Sequence, residues 1–393
     1  MNRRDLLLGA VVAGAAVGTT LAAQARRPAA PGQLLHHEPI TTPIKGARAW
    51  KVRYCSSDVN DVVHEVSGLV IAPSKRGSNR PVLMWCHGTT GLGDAACPSA
   101  QPDPARELIT YFTPQATRQI DYGVPGLQGY IDAGYVVTAT DYQGLGSPGM
   151  HQYMVSRTQA RDAVFLAHAA RTLPVGGGKK LLCTGWSQGG GTAAAVAELA
   201  DGDFGDFVLL GTAAMSPGVT AMTAAYPGGM AEALTNPKVP PDAHLLMTVM
   251  GLSAGYPKLH LKDVLTPLGE EVLRGAWEHQ PVHHLGDTVA RLFRLKGPFM
   301  HGNFLELPDW KAAIVESSAG RVKPRCPVLV CIDAFDNGTV IPVPWQTAYV
   351  KTATELGGNV EQRDYPHDDH FSLPASCTPA VQAWFKQLLA KAR

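Results

Sequence analysis

The sequence predicts an α/β fold in which a mostly parallel central sheet is flanked by helices. Short apolar runs bounded by turn residues recur along the chain, and their continuous apolar character is typical of strands buried on both faces. Segments with helical periodicity separate these runs, and this alternation indicates a sheet built with crossover connections. The chain has 393 residues, 45% of them hydrophobic and 17% charged, so it can bury a large core.

Eight strands and three long helices are predicted from these patterns. Two segments with alternating apolar residues suit outer antiparallel strands, at 50–54 and 66–71. The remaining strands are predicted at 81–86, 135–140, 180–183, 207–210, 328–332 and 360–363. Helical patterns occur at 159–172, 191–199 and 381–393.

Residues 1–25 have the features of an export signal. Arg3 and Arg4 precede an apolar run rich in Leu, Val, Ala and Gly, and Ala23-Gln24-Ala25 offers a cleavage site. The paired arginines resemble a twin-arginine signal, with an uncleaved membrane anchor as the alternative. Cleavage removes two of the 34 basic and one of the 33 acidic residues, which leaves a net charge of zero.

The rest of the chain divides into an arm, a core and an insertion. We expect an arm at 26–48, an α/β core formed by 49–216 and 311–393, and a helical cap at 217–310 inserted after the sixth strand. The balanced charge argues against nucleic-acid binding. Seven scattered cysteines without a C-x-x-C pair do not indicate a zinc ribbon, although some could pair in an oxidising compartment. No second run is apolar enough to span a membrane, so a secreted or periplasmic protein is expected.

A nucleophile is predicted from the motif G-x-S-x-G, which occurs at 185–189 and 251–255. This motif forms a nucleophile elbow only between a strand and a helix. A predicted strand precedes Ser187 and a helix-forming run follows it. Ser253 is followed by Tyr256-Pro257, which cannot begin a comparable helix. The pattern therefore favours Ser187.

An oxyanion hole is predicted from the loop Cys86-His87-Gly88-Thr89-Thr90-Gly91, which follows a strand. Acyl transfer makes the carbonyl oxygen negative, and backbone N–H groups must meet that charge. The amide after the nucleophile, on Gln188, is one expected donor, and Thr89 supplies the other. His87 is expected to be structural, because the catalytic base comes last in the chain order of such enzymes.

The acid and the base should follow the nucleophile in the order Asp or Glu, then His. Asp333 and Asp336 both lie at the end of a predicted buried strand, and the loop position favours Asp336 over Asp333. Two histidines lie downstream, and His370 is favoured over His367 because it is nearer the final helix.

Together these features resemble the α/β-hydrolase superfamily and, more narrowly, the secretory lipase family of bacteria and fungi. The stretches that carry the resemblance are His87-Gly88-Thr89-Thr90-Gly91, Asp141-Tyr142-Gln143-Gly144-Leu145-Gly146, Gly185-Trp186-Ser187-Gln188-Gly189 and Ala254-Gly255-Tyr256-Pro257. The resemblance implies an ester hydrolase with a helical cap over the acyl site. Within these stretches, Tyr142 and Trp186 are the predicted substrate-binding residues.

Two details depart from the family pattern. The usual Asp-x-x-Val-Pro sequence is lengthened here between Asp336 and Pro342, which keeps Asp333 open as the acid. The predicted cap contains no cysteine, so no disulfide can join it to Cys97.

The sequence leaves three alternative classes of function. Residues 144–149 match G-x-G-x-x-G, but no helix opens at the third glycine, which argues against a dinucleotide-dependent oxidoreductase. Two groups could supply metal ligands, namely His367, Asp368, Asp369 and His370, and His279, His283 and His284, but no H-E-x-x-H motif occurs. A non-catalytic binding module on the same fold is the third class.

The sequence thus predicts a secreted serine ester hydrolase that uses Ser187, Asp336 and His370 and cleaves uncharged short-to-medium acyl esters. No metal or organic cofactor is implied. The expected substrate is a small-molecule or lipid ester. The alternatives within the same fold are a deacetylase, a polyester hydrolase or an acyltransferase.

Overall fold

The computed structural model describes residues 29–116, 119–225, 239, 241–338 and 340–392, so the predicted signal at 1–25 lies outside the described residues. One sheet contains the strands β1 (Leu34–Ile40), β2 (Ala47–Ser57), β3 (Val63–Pro73), β4 (Arg80–Cys86), β5 (Val136–Thr140), β6 (Gly177–Trp186), β7 (Val208–Met215), β8 (Val328–Asp333) and β9 (Val360–Tyr365).

The strand order in this sheet is β1-β2-β3-β5-β4-β6-β7-β8-β9. Three pairs are antiparallel, namely β1 with β2, β2 with β3 and β3 with β5. The other neighbours in this order, from β5 with β4 to β8 with β9, are parallel. Because parallel neighbours need crossover connections, helices cover both faces and the inner strands are buried throughout. The predicted mostly parallel sheet flanked by helices is therefore confirmed.

Helices connect these strands and cover the sheet. They are α1 (Leu127–Asp132), α2 (Ser156–Ala170), α3 (Gln188–Val196), α4 (Asp201–Phe204), α5 (Thr220–Ala225), α6 (Ala243–Gly255), α7 (Pro267–Ala276), α8 (Val282–Lys296), α9 (Pro308–Ser317), α10 (Val343–Glu355) and α11 (Leu373–Lys391). The helical patterns predicted at 159–172, 191–199 and 381–393 correspond to α2, α3 and α11, whose ends differ by a few residues. No helix among the described residues is long and apolar enough to cross a membrane.

The predicted arm at 26–48 contains a strand that the sequence pattern did not reveal. Among the described strands β1 pairs only with β2, and it is mostly exposed, so it lacks the apolar run by which buried strands are recognised. Because of this extra strand, the insertion follows the seventh strand of the sheet rather than the sixth.

The described residues form three apolar cores. One lies with α2 and α3 on one side of the sheet, and another lies with α1 and α11 on the other side. The third joins α6 to α9 and takes in Leu92 and the segment Tyr153-Met154-Val155, so the insertion packs onto the rest of the chain through this segment. Helix α9 crosses the predicted boundary at 310. All seven cysteines are buried and unpaired.

Candidate active site

Ser187 occupies the turn between β6 and α3. Its φ of 60° and ψ of −120° lie in a region that residues with a side chain rarely adopt. The amide of Ser187 donates to the carbonyl of Met215 at 2.9 Å, which fixes the turn against β7. Ser187 is buried, with 6% of the residue exposed. These are the geometric features of a nucleophile elbow.

The two glycines of this motif are required by close backbone approach. A Cβ on Gly185 would lie 2.0 Å from the carbonyl oxygen of Gly189. A Cβ on Gly189 would lie 2.0 Å from the carbonyl oxygen of Cys86, at the end of β4. A larger residue at Gly189 would push the elbow away from the end of β4, and one at Gly185 would push apart the strand and the helix that the elbow joins.

The second G-x-S-x-G match has a different environment. Ser253 lies within helix α6, and its hydroxyl donates to the carbonyl of Leu259 at 2.8 Å. A helical serine bonded in this way has neither the strand-turn-helix setting nor the strained backbone of Ser187.

His370 lies just before α11, in the loop that follows β9. Its Nδ1 is 3.2 Å from Oδ2 of Asp333 and 2.9 Å from the hydroxyl oxygen of Ser216. The other carboxylate oxygen of Asp333 accepts from Nε2 of Gln346 at 2.6 Å. Because an ionised carboxylate only accepts, contact with Asp333 favours the tautomer of His370 with its proton on Nδ1. None of the described residues forms a hydrogen bond with Nε2, which in this tautomer can accept a proton.

Strand register explains why Asp333 contacts His370. Asp333 is the last residue of β8 and lies opposite Tyr365, the last residue of β9, so the loop that carries His370 begins beside it. Asp336, the acid that the sequence favoured, lies in a short 3₁₀ helix just beyond β8, and its side chain is outside the described part of the chain. Asp333, the alternative, is the carboxylate that the described contacts pair with His370, and a catalytic role for Asp336 stays a prediction.

Trp186 fixes the position of the histidine loop. Its indole N–H donates to the carbonyl of His370 at 2.8 Å, and the two rings are 5.1 Å apart. The exposed His367, predicted to be a surface histidine, lies on the same loop outside this contact.

A cavity of about 150 Å³ contains Ser187 and His370. The residues that line it are Thr89, Phe112, Asp121, Trp186, Ser187, His244, Val282, His283, Val340, His370 and Phe371. Aromatic and aliphatic side chains dominate this wall, and the insertion contributes Val282 and two histidines. Phe112 packs edge-on against Phe371, with ring centroids 4.6 Å apart, at the exposed side of the cavity.

Seven of these lining residues were not predicted as binding residues. They lie on loops or helix starts that are far apart in the sequence, and they are Phe112, Asp121, His244, Val282, His283, Val340 and Phe371. His283 belongs to one of the groups that could supply metal ligands, and here its ring stacks on Tyr111 while its Nε2 lies 3.8 Å from Asp121. No local motif marks such residues, because only tertiary packing brings them to one cavity.

The predicted oxyanion residues lie next to the nucleophile. Gln188 is the first residue of α3, and the amides of a helix's first turn have no acceptor within the helix. Thr89 follows β4 and lines the same cavity as Ser187. His87 is buried, and its Nδ1 lies 2.6 Å from the carbonyl oxygen of Gly88.

Tyr142 has a position unlike that of a substrate-binding residue. It is fully buried, its hydroxyl donates to the carbonyl of His87, and its ring lies between His87 and His151. Tyr142 is not among the described residues that line the cavity of Ser187, and its contact with substrate stays a prediction. Burial lowers the pKa of His87 and takes that of His151 to about 3, so both imidazoles are neutral at physiological pH.

Comparisons with known proteins identify a family and similar folds. The family model described as secretory lipase matches residues 112–392. The fold is similar to that of the rice cell wall degrading esterase LipA from Xanthomonas oryzae, with a TM-score of 0.68, 20% identity and coverage of 93% of this chain and 100% of that chain. It is also similar to Candida antarctica lipase A in its closed state, with a TM-score of 0.69, 15% identity and coverage of 92% and 83%, respectively. Among curated proteins, none matches this chain in sequence.

Proposed function

Because this chain belongs to the secretory lipase family, and is thus a carboxylic ester hydrolase, we propose that it cleaves uncharged short-to-medium acyl esters through an acyl-enzyme on Ser187. The observation that carries the proposal is the elbow conformation of Ser187, at a cavity that also contains a buried His370 paired with Asp333. An elbow serine, an imidazole and a carboxylate at one cavity are the parts that acyl transfer needs.

In the proposed mechanism, Ser187 attacks the ester carbonyl while Nε2 of His370 takes the hydroxyl proton. The same proton then passes to the leaving alcohol. A water molecule next attacks the acyl-enzyme with His370 again as the base, which releases the acid and restores Ser187. Asp333 accepts from Nδ1–H, which selects the required tautomer and stabilises the imidazolium that forms. Gln346 holds the second oxygen of this carboxylate, so its orientation is fixed before substrate binds.

The amides of Gln188 and Thr89 are the proposed donors to the oxyanion. Helix α3 begins at Gln188, and the positive end of its dipole favours negative charge beside Ser187. These groups stabilise the tetrahedral intermediate more than the ground-state ester, which is the condition for raising kcat.

The cavity supports an uncharged acyl group of modest length. Phe112, Trp186, Val282 and Phe371 provide apolar surface around Ser187, and the volume of about 150 Å³ suits a short chain. Side chains at 282 and 283 come from the insertion, so we propose that 217–310 acts as a cap that covers the acyl group. Export through the twin-arginine-like signal at 1–25 is part of the proposal and accords with the secretory family.

Active-site labelling tests the proposed function directly. A fluorophosphonate probe should modify the native protein at the peptide that contains Ser187, while Ser187→Ala should remain unlabelled. Ser253→Ala is the matched control, because it removes the serine of the same motif from helix α6, and it should be labelled like the native protein. Labelling of Ser187→Ala at the native rate would refute the assignment of the nucleophile.

A further inference from the structure

One short segment between β5 and α2 contacts both residues of the proposed oxyanion hole. The segment is His151-Gln152-Tyr153, and all three side chains are buried. His151 contacts the side chain of Gln188, and Tyr153 contacts that of Thr89. No motif in the sequence marks this segment.

The hydrogen bonds of His151 define its tautomer. Nδ1 lies 2.9 Å from the carbonyl oxygen of Gln143, which can only accept, so Nδ1 carries the proton. Nε2 of this neutral ring is therefore an acceptor, and it receives the amide N–H of the Gln188 side chain at 2.8 Å. The side chain that follows the nucleophile is thus held in one orientation.

Tyr153 makes the corresponding contact on the other side of the oxyanion hole. Its hydroxyl lies 2.8 Å from the hydroxyl oxygen of Thr89, and only 3% of Tyr153 is exposed. This bond joins the loop after β4 to the segment that packs under the insertion.

The segment is itself held in place from several sides. The amide of His151 donates to the carbonyl of Leu92 at 3.0 Å, and its ring stacks on Tyr142 with an interplanar angle of 10°. A Cβ on Gly251 would lie 2.4 Å from the backbone nitrogen of Tyr153, so helix α6 packs directly on this backbone. Packing against this backbone therefore explains why position 251, the first glycine of the second G-x-S-x-G match, is a glycine.

We propose that His151 and Tyr153 are positioning residues, which hold Gln188 and Thr89 so that their amides meet the oxyanion. The inference rests on the proposed function, since it takes these two amides as the donors. Oxyanion stabilisation depends on donors that are aligned before the reaction, and removing one such donor costs roughly 10² to 10³ in kcat. Loss of a supporting bond leaves the donor present but less well aligned, so a smaller effect is expected.

Two substitutions and a matched control test the proposal. Tyr153→Phe removes only the hydroxyl that contacts Thr89, and His151→Phe removes the acceptor of Gln188 while keeping an aromatic ring. Tyr54→Phe is the control, because Tyr54 is a fully buried tyrosine that makes the same kind of bond, 2.7 Å to Thr140, away from the cavity. Circular dichroism and thermal unfolding identify any variant that fails to fold.

The readouts separate positioning from general structure. Each variant is assayed for kcat and KM on a nitrophenyl ester and for inhibition by an alkyl trifluoromethyl ketone, which forms a tetrahedral oxyanion adduct with a serine. We expect Tyr153→Phe and His151→Phe to lower kcat about tenfold or more, to weaken the ketone by a similar factor and to change KM less than about twofold. Tyr54→Phe should lower the unfolding temperature without changing kcat or ketone inhibition.

Combining His151→Phe with Gln188→Ala tests whether His151 acts through Gln188. If it does, the double variant should lose no more kcat than the worse of the two single variants. Native kcat and ketone inhibition in folded Tyr153→Phe and His151→Phe would overturn the inference, as would an effect confined to KM.

The outcome for Ser187→Ala distinguishes this inference from the proposed function. If Ser187→Ala is inactive while folded Tyr153→Phe and His151→Phe behave like the native protein, only the positioning role fails. If Ser187→Ala keeps native activity, the proposed function itself fails.

Discussion

The imidazole of His370 and the carboxylate of Asp333 meet at 3.2 Å, where Asp333 ends β8 and His370 lies in the loop that follows β9. Both side chains are buried, and Gln346 holds the second oxygen of the carboxylate. The contact therefore exists before substrate arrives. It favours the proton on Nδ1, and in that tautomer Nε2 of His370 is unprotonated and can accept a proton, as a base must.

We predict that Asp333→Asn lowers kcat by roughly 10² to 10⁴, because an asparagine no longer selects the tautomer of His370 that can accept a proton. Asp336→Asn should keep most of the activity. Steady-state kinetics of the two variants, with circular dichroism to confirm folding, check the ranking. A larger loss for Asp336→Asn would give the role to the acid that the loop spacing favoured.

Trp186→Phe is predicted to lower kcat with little change in KM, because it removes the indole N–H that holds the backbone of His370. Its free energy of unfolding should also fall by about 1–3 kcal/mol, since the buried carbonyl loses its donor. Trp85→Phe is the matched control, because Trp85 is equally buried in the same core and its indole nitrogen has no acceptor among the described residues. A raised KM at native kcat in Trp186→Phe would instead indicate the substrate-binding role.

The elbow around Ser187 could be predicted from the sequence, because a strand, a sharp glycine turn and a helix are all local features. The contact between Asp333 and His370 could not, since it depends on strand register and on the path of the chain after β8. The contacts of His151 and Tyr153 were equally invisible, because each joins residues tens of positions apart. Strand β1 was missed because an exposed edge strand needs no apolar run.

Acyl chain length should affect the rate through burial in the apolar cavity. We predict that kcat/KM for nitrophenyl esters rises from acetyl to about hexanoyl or octanoyl, by at most about fourfold for each methylene, which corresponds to ~0.8 kcal/mol. Phe112→Ala should reduce this preference, because the ring borders the cavity, whereas Leu295→Ala removes an equally exposed side chain elsewhere and should not. A steady fall beyond acetyl would favour a deacetylase.

Acid should destabilise the fold through His151. Burial takes the pKa of this imidazole to about 3, against 6.5 for an unperturbed histidine, so between these values the unfolded chain binds a proton that the folded chain does not. The free energy of unfolding therefore falls as the pH drops below about 6.5, and His151 contributes about 2 kcal/mol of this loss by about pH 5.

Urea denaturation at about pH 7 and about pH 5 measures this contribution. His151→Phe should lose about 2 kcal/mol less than the native protein over the same interval, whereas His367→Phe, at an exposed position, should follow the native protein. Equal losses in the native protein and in His151→Phe would contradict the buried neutral imidazole.

The central claim is that Ser187, and not the serine of the second motif, forms the acyl-enzyme. Its most direct test is kcat on a nitrophenyl butanoate for Ser187→Ala and Ser253→Ala. We predict a loss of at least ~10³ for Ser187→Ala, because the loss of a triad member costs several kcal/mol of transition-state stabilisation, and near-native kcat for Ser253→Ala. Native-like turnover by Ser187→Ala would contradict the account.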